Sequence, residues 1–86
     1  MNHRATSRFW AAYDNLSPEL RAQADKQFKL LKSDPMHPSL HFKKTGRLWS
    51  ARVNRSIRVL AIQDGEDCVW FWVGDHREYE RLIRES

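Results

Sequence analysis

The chain has 86 residues, 15 Lys and Arg against 11 Asp and Glu, a formal charge of +4 and one cysteine, Cys68. That length allows a single domain, residues 1–86, with a thin core, because a domain this small buries only about 60–65% of its unfolded surface. The lone cysteine excludes an intrachain disulfide, the start from Met1 to Ser7 lacks the apolar stretch of a signal peptide, and the apolar run Val69–Val73 is too short for a bilayer core of about 30 Å. A soluble, cytoplasmic protein with no membrane partner is expected.

In chain order, Phe9, Trp10, Tyr13 and Leu16 share one helical face, which predicts a first helix over 8–16 capped by Thr6 or Ser7. A short strand before it would be an addition to the sheet below. Ser17-Pro18-Glu19 restarts the chain with a cap, a proline suited to the first helical position and an acid for the positive helix end. The second helix runs to about Lys32 with Leu20, Ala24, Phe28 and Leu31 as its apolar stripe, and Pro35 and Pro38 forbid its continuation. The period then changes. Leu48–Val53, Ile57–Ile62 and Cys68–Val73 are β-rich runs separated by the turn formers Asn54-Arg55-Ser56 and Asp64-Gly65-Glu66-Asp67. Asp75 followed by Glu78 resembles a capping box and predicts a last helix to about Arg84. The expected fold is α+β: an N-terminal helical hairpin on a small antiparallel sheet of three strands, four with the N-terminal one, and a short C-terminal helix.

The basic residues are not spread evenly. Between His37 and Gln63 stand Lys43, Lys44, Arg47, Arg52, Arg55 and Arg58, with no acid among them. If Asn54-Arg55-Ser56 is a hairpin loop, Arg52 opposes Arg58, Ala51 opposes Val59 and Trp49 opposes Ala61. One face then carries Trp49, Ala51, Val53, Ile57, Val59 and Ala61, and a slip of one residue would mix it with arginine. Opposed arginines repel, yet paired guanidiniums grip phosphate oxygens. The alternative is that both splay into solvent or pair with acids such as Glu78 or Glu80. Trp70 and Trp72, two apart, are expected on one face, either in the core or beside the arginines as a stacking platform.

His76 and Tyr79 are three apart at the start of the last helix. Beside an arginine pair, a histidine that moves protons and a tyrosine that orients a substrate suit metal-independent RNA cleavage. On spacing alone the same pair also fits a helix start and packing. His37 and His41 do not make a zinc site, because Pro38 breaks the helical spacing and no cysteine or acid stands near. No metal or cofactor is expected.

Arg8-Phe9-Trp10…Tyr13…Leu16-Ser17, Asp34-Pro35…His37-Pro38-Ser39-Leu40-His41-Phe42-Lys43, Ser50-Ala51-Arg52-Val53…Arg58 and Trp70-Phe71-Trp72-Val73-Gly74-Asp75-His76…Tyr79 together resemble a branch of the RelE/ParE toxin superfamily, over nearly the whole chain. The resemblance implies two N-terminal helices on an antiparallel sheet, often with an extra first strand. It also implies a cognate antitoxin partner, with operator DNA bound only through the antitoxin complex. RelE-type members cut mRNA, commonly on the ribosome, with basic sheet residues and a C-terminal His or Tyr. The positions that match are Arg52, Arg58, His76 and Tyr79, with Lys43, Lys44, Arg47 and Arg55 as RNA-binding neighbours. No acid is clearly placed as general base; Asp75 and Glu78 are the candidates, and Glu78 also fits a cap. The alternatives are a non-enzymatic DNA gyrase inhibitor of ParE type and an inactive basic module that binds antitoxin and nucleic acid.

Overall fold

The computed structural model describes residues 2–85. In chain order they form β1 (Asn2–Ala5), α1 (Ser7–Asp14), α2 (Pro18–Ser33), a 3-10 turn (Pro38–Leu40), β2 (Lys43–Thr45), β3 (Leu48–Arg52), β4 (Ile57–Asp64), β5 (Asp67–Asp75) and α3 (His76–Glu85). The sheet order is β1-β5-β4-β3-β2, antiparallel except that β1 runs parallel to β5. The α+β class and its helical hairpin stand as expected, but the sheet has five strands rather than three or four. β2 is the unforeseen one, because three polar residues show no apolar alternation. It is a short edge strand bearing lysines, a composition that discourages further pairing. Gly46, at φ +62°, supplies the left-handed residue in the turn that returns β2 into β3.

Both helices of the hairpin start at side-chain caps. The Thr6 hydroxyl accepts from the Phe9 N–H at 3.1 Å, and Ser17 Oγ accepts from the Leu20 N–H at 3.2 Å. α1 is tied to α2 where Tyr13 donates to Asp25 at 2.6 Å, a bond that also raises the Tyr13 pKa. Arg21 donates to the Leu16 carbonyl at 2.6 Å and closes the join. Beneath the hairpin, Leu31, Leu40, Ala51, Ala61, Cys68 and Trp70 form the buried core, with Phe9, Phe42, Trp49 and Val59 packed around it. Burial pushes the Cys68 thiol up to about 11, which makes it inert packing. Two members of the expected apolar stripes stay largely open, Trp10 at 49% exposure and Phe28 at 40%. They border an apolar groove of about 360 Å³ between the helices and the sheet. Among the described residues no helix is long and apolar enough to cross a membrane.

The hairpin is not the sheet's only cover. α3 lies on the opposite face, where Ser50 (2% exposed) and Leu60 (1%) are buried and Tyr79 donates to Ser50 Oγ at 3.2 Å. A strand buried on both sides loses its clean apolar–polar alternation, so the face opposite the hairpin core is a second, smaller core rather than a solvent face.

Candidate functional site

The β3–β4 register is the expected one: Arg52 pairs with Arg58, Ala51 with Val59 and Trp49 with Ala61. Cross-strand partners point to the same side of a sheet, so Arg52, Arg58 and Gly74 form one row on the α3 face. The next row is Lys43, Ser50, Leu60 and Trp72. The expectation that Trp70 and Trp72 share a face is corrected here. The pairing shifts between Leu60 and Ala61, which face Trp72 and Trp70, leaving Phe71 as the extra residue of a β-bulge. Trp70 therefore sits in the hairpin core, 4% exposed, and Trp72 turns to the arginine face. Its indole lies across Gly74, where an added Cβ would come within 2.8 Å of the Trp72 Cη2. Glycine is required there by this close approach, not by backbone conformation.

Arg58 is held from behind. Its Nη1 donates to the carbonyls of Asn54 (2.6 Å), Arg55 (3.2 Å) and Ile57 (3.3 Å). Its charge lies 6.0 Å from the centre of the Tyr79 ring, at the outer reach of a cation–π contact. Burial, and then the neighbouring Arg52 charge, lowers the Arg58 pKa, while Tyr79 and Glu80 oppose that. Neither arginine forms an ion pair with Glu78 or Glu80; Glu78 instead meets Arg81 at 3.6 Å. Two half-buried arginines paired across the strands, one already aimed by backbone carbonyls, present a cationic surface to an anion.

α3 begins where β5 ends. The Asp75 carboxylate accepts from the Glu78 N–H at 2.9 Å, the forward half of the expected box, and the His76 N–H donates to the Ser56 carbonyl at 2.8 Å. This brings His76 to the same end of the sheet as Arg58. Its ring stacks on Tyr79 with centroids 6.1 Å apart, and its Nε2 lies 3.0 Å from Glu80 Oε1. Tyr79 is buried, 8% exposed, with its hydroxyl turned to Ser50. It is the wall against which Arg58 and His76 stand.

Arg52, Arg58, His76 and Tyr79 are thus gathered at one end of the sheet, with Lys43 on the same face. Arg55 is exposed in the loop that holds Arg58. Lys44 pairs with Trp49, on the hairpin side, and Arg47 lies in the β2–β3 turn at the other end of β3. Two residues of the site, Glu80 and Asn54, escaped sequence reasoning as such, and Trp72 is expected beside the arginines only as one of two alternatives. Glu80 stands four residues after His76, a spacing that alone could have marked it. Asn54 reads only as a turn former, and Trp72 depends on a bulge that no parity rule shows. Among the described residues no cluster of three or more His, Cys, Asp or Glu could hold a metal.

No protein-family model and no curated protein matches the chain. Solved structures do. The isolated RelE toxin of E. coli superposes with TM-score 0.63 at 14% identity, over 99% of this chain and 98% of that one. A YoeB/ParE toxin from Agrobacterium tumefaciens gives TM-score 0.66 at 14% identity, over 88% of this chain and 99% of that one. The RelBE2 toxin–antitoxin complex from Mycobacterium tuberculosis gives TM-score 0.62 at 21% identity, over 87% and 96%. With its hairpin on one face of the sheet and its cationic end on the other, the chain has the fold of RelE/ParE-like toxins.

Proposed function

We propose that the protein is the toxin of a type II toxin–antitoxin pair and that it cleaves mRNA, inhibiting translation. The observation that carries the activity is the meeting of Arg58, backed by loop carbonyls, with a His76–Glu80 pair at one end of the sheet. In this reading the scissile phosphate rests on Arg52 and Arg58. Glu80 accepts from His76 Nε2–H, which leaves Nδ1 as the ring's acceptor. Nδ1 takes the proton of the ribose 2′-OH as that oxygen bonds to phosphorus. The P–O5′ bond breaks and the leaving oxygen takes a proton from water, giving a 2′,3′-cyclic phosphate and a 5′-hydroxyl. The arginines stabilise the charge that builds on the phosphate oxygens. Tyr79 acts by holding Arg58 and His76 in place. Lys43 holds a flanking phosphate, and Arg55 supplies charge at the rim. Lys44 and Arg47 lie off this face and suit contacts to ribosomal RNA.

The solved complex from M. tuberculosis supports an antitoxin as the protein partner, and in this reading operator DNA is bound only through that antitoxin. The test is primer extension on a message under translation in a cell-free system, with a DNA supercoiling assay in parallel. New cuts that disappear with Arg58→Ala or His76→Ala are the expected result. Intact message with blocked supercoiling would replace this reading with gyrase inhibition. Intact message with no effect in either assay would leave a binding module.

A further inference from the structure

The hairpin loop 54–56 touches both halves of the site. The carbonyls of Asn54 and Arg55 accept from Arg58 Nη1, and the carbonyl of Ser56 accepts from the His76 N–H. One side chain sets the shape of that loop. Asn54 Oδ1 accepts from the N–H groups of Ser56 (2.7 Å) and Ile57 (2.9 Å), an Asx turn that fixes where the three carbonyls point. Asn54 Nδ2 donates to Gln23 of α2 at 2.6 Å, and Gln27, one turn on, donates to the Arg52 carbonyl at 2.9 Å. The loop is therefore clamped from the helical hairpin on one side while it aims Arg58 and His76 on the other. The Asn54 side chain neither carries charge nor titrates.

From this we infer that Asn54 is a positioning residue, acting through Arg58 and His76 on the transition state. This rests on the RNA-cleavage reading. A group that only aims a guanidinium loses rate rather than ground-state affinity when removed, because the alignment matters most where charge develops. A misplacement of about 1 Å is worth about 100-fold in rate.

The experiment is single-turnover cleavage of a translated message by the full chain, comparing wild type, Asn54→Ala, Arg58→Lys and the double variant. Gln23→Ala is included in case Asn54→Ala fails to fold, as judged by its thermal transition. The expected result is a loss of about 100-fold in rate for Asn54→Ala with half-saturating RNA concentration nearly unchanged. The double variant should lose less than the product of the two single losses, since Arg58 is one of the two groups through which Asn54 acts. Gln23→Ala should reproduce a smaller loss of the same kind. Wild-type rates in Asn54→Ala and Gln23→Ala, or additive losses in the double variant, would overturn the positioning role while leaving the cleavage reading intact. A wild-type protein that leaves the message uncut would overturn the cleavage reading, and the positioning role with it.

Discussion

Gly74 stands opposite Arg58 with the Trp72 indole across it, so that side chain identity at one position decides where another ring rests. In Gly74→Ala the new methyl overlaps the indole, and either the ring or the strand must move. Overpacking of this kind costs about 1–3 kcal/mol. Urea denaturation should show a lower midpoint with an unchanged slope, and the emission of Trp72 should shift as the ring leaves its place. At this scale the sequence was partly legible. The Arg52–Arg58 pairing followed from an Asn54-Arg55-Ser56 loop together with apolar parity, because a slip of one residue would mix arginine into the hairpin core. The position of Trp72 did not follow, because parity counts assume an unbroken pleat and the bulge at Phe71 breaks it. The His76–Glu80 contact lay in plain view as an i, i+4 pair, but Glu80 reads equally as a solvated acid until its neighbours are known.

α2 is the element on which the site's rear support depends, since it carries both Gln23 and Gln27. Its start is fixed by Ser17, whose hydroxyl accepts from the Leu20 N–H, and by Pro18 at the first helical position. Ser17→Ala removes that acceptor and should cost about 1 kcal/mol, read as a lowered thermal midpoint. Such signals are local, which is why both helices of the hairpin were legible from their caps and, in α2, from its prolines. The C-terminal helix was legible as an element from Asp75 and Glu78, but not as a cover. Its apolar side is short, and nothing in its own residues says which sheet face it takes. Ser50 at 2% exposure and Leu60 at 1% lie beneath it, as buried as most of the main core. β2 left no trace because a lysine-rich edge strand is specified by its partner rather than by itself.

At the scale of the whole molecule, β1 is tied to β5 across most of the sequence. His3 Nδ1 accepts from Trp70 Nε1 at 3.1 Å, with the two rings stacked, and burial, reinforced by nearby cationic groups including Lys32, lowers the His3 pKa below its ordinary 6.5. A protonated ring would turn a donor toward the indole N–H, so the fold favours neutral His3. The unfolded chain therefore binds more protons than the native one between that lowered pKa and 6.5. The stability from neutral His3 is complete above 6.5 and is lost as pH falls from 6.5 through the lowered value. Denaturation midpoints measured across this range should fall with pH, and His3→Asn, which keeps an acceptor, should flatten the fall.

The same tie dictates an order of events during synthesis. His3 and Trp70 are 67 residues apart, and β1 has β5 as its ladder partner. A nascent chain makes its helices and the β3–β4 hairpin from neighbouring residues, but contacts this distant wait for the end of the chain. Until β5 leaves the ribosome, β4 has one unpaired edge and β1 has no ladder to join. His76 and Glu80 follow β5 directly. Arg52 and Arg58 are thus synthesised before His76 and Glu80, the residues that join them at the end of the sheet.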